Sequence, residues 1–114
     1  MSEEIKAFYK KFEEDTGKMQ KLTPNMFSGF SGLFQKVMSE GALSVQQKEL
    51  IALAIGVAVR CEPCIVLHVK KALGVGATKE DILEAASVAA MMGGGPVVTH
   101  VPVVIDALEA NGAL

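Results

Sequence analysis

The only two cysteines of the 114-residue chain, Cys61 and Cys64, stand in a single C-x-x-C within the stretch RCEPCIVLH, which ends at His68. Three chemistries fit such a group. A dithiol of this spacing can cycle with a disulfide, and His68 is a base able to take a thiol proton. Two thiolates and His68, with Glu49 as a fourth ligand, would instead suit zinc, although structural zinc sites usually bring a second ligand pair at recognisable spacing and this chain has none. The third reading is a pair of inert buried thiols. In a reducing compartment a lone C-x-x-C points to catalysis or metal binding ahead of a structural staple.

Pro63 sets the local geometry. Proline is accepted in the first turn of a helix and excluded from its interior, and it disfavours the α region for the residue before it, Glu62. One helix is therefore expected to end near Arg60 or Cys61 and the next to begin around Pro63. Cys64 then lies in a first turn, where unpaired N–H groups and the positive end of the dipole favour an anion, so its thiol should ionise below the free value of about 8.5. Arg60 acts in the same direction and Glu62 against it. Residues three apart in a helical turn have Cβ atoms roughly 5–6 Å apart, slightly wider than the roughly 3.5–4.5 Å of a disulfide. A modest adjustment at Glu62–Pro63 would close that gap. His68 rises one turn beyond Cys64 on nearly the same face, and its side chain leans back over the sulfur.

The elements that must hold these groups read as helices throughout, because no stretch alternates apolar and polar residues for long and Gly and Pro punctuate at helical intervals. A first helix is expected from about Glu3 to Thr16, with Ile5, Phe8, Tyr9 and Phe12 on one face and Gly17 as its stop. Thr23–Pro24 reads as the N-cap and first position of a second helix, whose Met26, Phe27, Phe30, Leu33, Phe34 and Val37 give a wide apolar face before Gly41. Ser44 and Gln47 form a capping box for a helix from Val45 to about Arg60. Its stretch LIALAIGVAV is apolar all round, so this helix should be central and covered by the others. A helix over Ile65–Leu73 is stopped by Gly74 and Gly76, and Thr78 with Asp81 caps the next, which packs through Ile82, Leu83, Ala86, Ala89 and Ala90. The run GGGP, Gly93 to Pro96, ends that helix and is a break with no phosphate-loop signature, since it lacks a preceding strand and a following Lys-Ser/Thr. A last helix is expected over about Val97–Ala110. His100 fits a satisfied structural or interface histidine better than a ligand. The class is all-α, a compact bundle of about six helices.

Composition bounds the rest. A chain of this length is one domain in size, residues 1–114. A net charge of −2 and a pI near 5.6 leave no basic stripe for phosphates, which argues against nucleic acid. Membrane insertion is not expected either, because the apolar run Leu50 to Val59 falls well short of the roughly 20 residues a bilayer requires. The acidic amphipathic start is no signal peptide, and a cytoplasmic location is expected. Half the residues are apolar and mean hydropathy is +0.34, high for a small monomer, which points to a homo-oligomer.

Glu49, Cys61, Cys64 and His68 together give E-x11-C-x2-C-x3-H, and with the surrounding stretch from Lys48 to Pro96 this pattern resembles the carboxymuconolactone decarboxylase superfamily, in its alkylhydroperoxidase D-like branch. The resemblance implies an all-α fold assembled as trimers or hexamers, and thiol-dependent reduction of hydroperoxides without a cofactor. It implies that Cys64 attacks the peroxide, that Cys61 resolves the sulfenic acid, and that a dithiol donor reopens the disulfide. It makes His68 the proton relay and Glu49 the carboxylate behind it. Decarboxylase members lack the cysteine pair, which ranks lactone decarboxylation low. Well-known peroxidase members carry a further relay histidine where this chain has Glu62, which leaves a disulfide oxidoreductase or redox sensor as an alternative. A plain hairpin at Pro63 would leave Glu49 about 16 Å along one helix and His68 roughly 8 Å along the other, so geometry alone does not pair them. Read without the resemblance, Glu49 is a first-turn glutamate favoured by the helix dipole.

Overall fold

A computed structural model describes residues 1–114 and consists of helices and turns alone. In chain order the helices are α1 (Ser2–Leu22), α2 (Pro24–Met38), α3 (Val45–Ala58), α4 (Glu62–Gly74), α5 (Lys79–Gly93), the single turn α6 (Gly95–Val98) and α7 (Val101–Ala110). No helix is long and apolar enough to cross a membrane.

The local signals at α3 and α5 hold. Ser44 Oγ accepts from the Gln47 amide while the Gln47 side chain accepts from the Ser44 amide, and Thr78 and Asp81 reproduce the same reciprocal pair. Three expectations need correction, and the Thr23–Pro24 start of α2 holds in position but not in its capping bond. Gly17 does not end α1, because the residues after it are sound helix formers, and the Lys18–Asp15 pair spans it. Thr23 is at once the last cap of α1 and the first of α2, and its hydroxyl donates backward to the Met19 carbonyl, leaving no side-chain cap for α2. Gly74 lies inside α4, and Gly76 at φ +93° makes the stop. The final helix is interrupted at Thr99 and His100, because Pro102 has no N–H with which to bond the Val98 carbonyl.

The core is built from α3, α4, α5 and α7, with Leu53, Val57, Ile65, Val69, Ile82, Val104 and Leu108 among its fully buried residues. From α1, Ile5 reaches it fully, and Phe8 and Tyr9 partly. Tyr9 ties three elements together: its hydroxyl donates to the Val66 carbonyl of α4 at 2.7 Å and accepts from Asn111 Nδ2 beyond α7 at 3.0 Å. Two apolar faces have no cover within the chain. α2 contributes no buried residue, and α3, expected to be enclosed, leaves Ile51, Ile55 and Val59 exposed on one stripe. Its other face, carrying Leu53, Gly56 and Val57, is the one in the core.

Candidate functional site

The cysteines occupy the junction of α3 and α4. α3 ends in a two-bond cap: the Cys61 amide donates to the Gly56 carbonyl and the Arg60 amide to the Val57 carbonyl, both at 3.0 Å. That cap places its penultimate residue in the left-handed region, and the residue there is Arg60, at φ 57°, the only non-glycine with positive φ. The chain thus reverses one position before Cys61. Glu62, expected to be pushed out of the α region by Pro63, is instead the first residue of α4 with Pro63 just behind it, and Cys61 is the N-cap in extended geometry. A first-turn residue owes no hydrogen bond to a preceding turn, which is why the Glu62–Pro63 pair fits there.

Because Cys61 lies outside the helix and Cys64 inside it, the separation expected of two helical residues does not apply. Their Cα atoms are 5.2 Å apart and the two sulfurs are joined as a disulfide, within the roughly 4.4–6.8 Å such bonds span. The adjustment lies at Cys61 itself and not at Glu62–Pro63. Cys61 Sγ also accepts from the Cys64 amide at 3.3 Å, so one of the unpaired N–H groups at the start of α4 is aimed at the first cysteine. Both cysteines are partly accessible.

His68 follows Cys64 by one turn. Its Nδ1 lies 2.7 Å from Glu49 Oε1, bringing together the two residues that a plain hairpin would separate. Glu49 is 5% exposed and is the sole charged or polar residue among the buried ones. Burying a carboxylate is costly unless a hydrogen bond compensates, and the imidazole provides it. The contact is possible because α3 and α4 cross closely at Gly56. A Cβ there would sit 3.2 Å from the Cys64 Cβ, so no side chain holds the helices apart. From that crossing, Glu49 is about 10 Å back along α3 and His68 about 6 Å forward along α4, a mismatch within the reach of the two side chains.

The imidazole also stacks with Phe34 of α2, with ring centroids 6.4 Å apart and planes 25° apart. Lys71 Nζ lies over the same phenyl ring, 4.2 Å from its centroid. Neither Phe34 nor Gly56 was picked out from the sequence as belonging to the site. The four-residue spacing of His68 from Cys64 contains no information about which aromatic of α2 will meet it, and Gly56 is one small residue in an apolar run.

No group of three or more histidine, cysteine or acidic side chains is arranged to hold a metal ion. The four candidate ligands are instead paired off, cysteine with cysteine and Glu49 with His68. His100 is tied into its own loop, with Nδ1 3.0 Å from the Pro96 carbonyl. Glu62 is exposed on the first turn of α4.

Comparison with known proteins identifies the family. Residues 24–105 match the model of the carboxymuconolactone decarboxylase family. An uncharacterised protein of the cox locus of Paracoccus denitrificans is 37% identical over 98 residues, covering 85% of this chain and 88% of that one. The crystal structure of a carboxymuconolactone decarboxylase family protein from Legionella pneumophila superposes with a TM-score of 0.88 at 35% identity, covering 93% of this chain and 95% of its own. A family member from Thermotoga maritima, for which a part in antioxidative response has been suggested, superposes with a TM-score of 0.70 at 33% identity over 75% of this chain and 88% of its own. The matched segment includes α2 through the first half of α7, and with them all four residues of the site. The chain belongs to the carboxymuconolactone decarboxylase family.

Proposed function

We propose that the protein is a thiol-dependent peroxidase of the alkylhydroperoxidase D-like branch, with Cys64 as nucleophile, Cys61 as resolving thiol, and His68 and Glu49 as proton relay. The observation that carries this reading is the Cys61–Cys64 disulfide standing one turn before a histidine whose Nδ1 is held by a buried carboxylate. An ionised Glu49 requires a donor, so the Nδ1 proton is the one it binds, and Nε2 keeps the lone pair. In the dithiol form Nε2 takes the Cys64 proton. The thiolate attacks the terminal oxygen of the hydroperoxide, the O–O bond breaks, and the alkoxide leaves as an alcohol with the proton returned from His68. Sulfur is oxidised to sulfenic acid as the peroxide is reduced. Cys61 then attacks the Cys64 sulfur, an S–S bond forms and water departs. The Cys64 amide that points at Cys61 Sγ favours the anion this second attack needs. A dithiol donor closes the cycle, reducing the disulfide and itself becoming oxidised. The suggested antioxidative role of the Thermotoga relative supports the same direction.

Rapid mixing of the reduced protein with an alkyl hydroperoxide tests the proposal, with loss of free thiol tracking peroxide consumption. A Cys64→Ser variant that consumed peroxide at the full rate would rule it out. Glu62, where peroxidase members carry a relay histidine, favours a second reading: a disulfide oxidoreductase or redox sensor that exchanges with partner dithiols. Fast exchange with negligible peroxide consumption selects it.

We further infer that the protein works in the cytoplasm, where dithiol donors are available, as a homo-oligomer, with the trimer or hexamer of the family as its form. The exposed stripe on α3 supports assembly, since apolar surface of this kind is what subunits cover.

A further inference from the structure

A cleft of about 590 Å³ lies between α1, α2 and α4, walled by Phe12, Met19, Phe27 and Phe34, and it reaches His68 and Lys71. Its size is that of a site for an organic ligand of moderate length. Its only ionisable lining groups are His68 and Lys71, and no carboxylate faces it. The Thr16 hydroxyl on its wall is already spent on the Phe12 carbonyl, and Ser31 and Gln35 are the other uncharged polar residues of the lining. An apolar trough with one fixed cation and no anion is complementary to an apolar chain bearing a negative charge. The imidazole that lines it is the one whose Nδ1 meets Glu49 and whose ring stacks with Phe34 of the wall.

We propose that this cleft binds the organic part of the substrate, and that its preferred substrate is an apolar hydroperoxide whose chain ends in a carboxylate, the chain lying among the phenylalanines, the carboxylate at Lys71 and the peroxy group at His68. This assignment rests on the peroxidase reading and adds a substrate class to it. Methionine and phenylalanine walls adapt to chains of different shape without demanding hydrogen bonds. Lys71 has no acidic partner and is held over Phe34, so its charge is available at the mouth. His68 is the residue shared by the cleft and the redox centre; Cys64, one turn before it and partly accessible, does not itself line the cleft, so the peroxy group has to reach the sulfur past the imidazole.

The test uses the oxidised full-length protein in its native assembly and two unreactive probes of equal length, decanoate and 1-decanol, titrated by calorimetry. Both should bind, with a heat capacity decrease that marks apolar burial, and decanoate should bind about threefold or more tighter, the scale of a partly exposed ion pair. Lys71→Met should erase that preference and Lys71→Arg should keep it. Lys79→Met, on another face, should leave it unchanged. Met26→Glu, at a position 55% exposed and therefore safe for folding, places a carboxylate on the wall and should weaken decanoate more than decanol. Equal binding of the probes in wild type and Lys71→Met overturns the charge assignment. Binding of neither probe overturns the cleft, as it would if a second copy of the chain filled it, while peroxide consumption with tert-butyl hydroperoxide would leave the peroxidase reading standing. Decanoate binding by a protein that consumes no peroxide overturns the assignment of the ligand as substrate and the peroxidase reading with it.

Discussion

Glu49 and His68 illustrate how one buried contact can decide a residue's role. A carboxylate with 5% exposure tolerates its charge only because an imidazole nitrogen sits 2.7 Å away, and the same bond orients the ring. Replacing His68 by Asn should lower the rate of Cys64 oxidation by about 10²–10⁴-fold, the usual contribution of a positioned acid–base group. Glu49→Gln should cost less, because the base remains and only its orientation loosens. Rapid-mixing oxidation of the reduced variants measures both, and equal losses would make Glu49 more than an orienting residue. Tyr9 offers a second residue-scale test. Burial raises its phenol above the ordinary value, with the Asn111 hydrogen bond acting in the opposite sense. The phenol of the unfolded chain titrates near pH 10, so the contribution of neutral Tyr9 is fully present below that pH and is lost as pH rises through the higher folded value. Tyr9 is the only tyrosine and there is no tryptophan, so its tyrosinate absorbance reports it alone. Stability should fall in that alkaline window in the wild type and not in Tyr9→Phe, which at neutral pH is weaker by about 1 kcal/mol for the lost hydrogen bonds.

At the scale of elements, the crossing of α3 and α4 is the part of the fold that the site depends on most. Gly56→Ala would put a methyl group 3.2 Å from Cys64 Cβ, so the disulfide-held Cys64 must shift by a few tenths of an ångström. Destabilisation of about 1–3 kcal/mol is expected from such overpacking, together with slower closure of the disulfide after oxidation. Chemical denaturation and the rate of thiol loss check the two effects, and an unchanged closure rate would separate the crossing from the chemistry. Arg60 lies in the same turn and has the conformation that glycine adopts at φ +93° in Gly76 at the end of α4. Left-handed geometry costs a side-chain-bearing residue roughly 1–2 kcal/mol, so Arg60→Gly should stabilise the fold by up to that amount. If its charge also favours the Cys64 thiolate, alkylation of the reduced variant will slow at neutral pH, and stability and reactivity will move in opposite directions. The capping boxes are simpler: Ser44→Ala should cost about 1 kcal/mol, visible as a lowered unfolding midpoint with disulfide cycling intact.

Across the whole molecule, apolar surface is distributed unevenly. The core faces of α3 and α5 are closed, yet Ile55 is 57% exposed on α3 and Phe30 63% exposed on α2. The two patches are assigned different uses: the stripe on α3 to contact between subunits, the inner side of α2 to the cleft. Ile55→Asp should therefore shift sedimentation toward smaller species while leaving the helical signal unchanged, because Ile55 takes no part in the monomer core. Unaltered sedimentation would place the subunit contact elsewhere.

Much of this molecule could be read from short-range patterns. Helix starts at Ser44 and Thr78 follow from side chains bonding amides three residues away, and the first-turn position of Cys64 follows from Pro63. Such signals are local, so they survive whatever the rest of the chain does. Where a local preference is weak, as at Gly17 or at Glu62 before Pro63, neighbouring side chains or the tolerance of a first turn overrode it. What the sequence by itself determined is the helical class, the caps, and a cysteine pair with a histidine one turn on. Only the tertiary structure decided that Glu49 meets His68 across 19 positions, that Phe34 backs the imidazole, and that one face of α3 stays open. Each of those depends on the angle and closeness of helix crossings, which arise from the packing of all the helices at once.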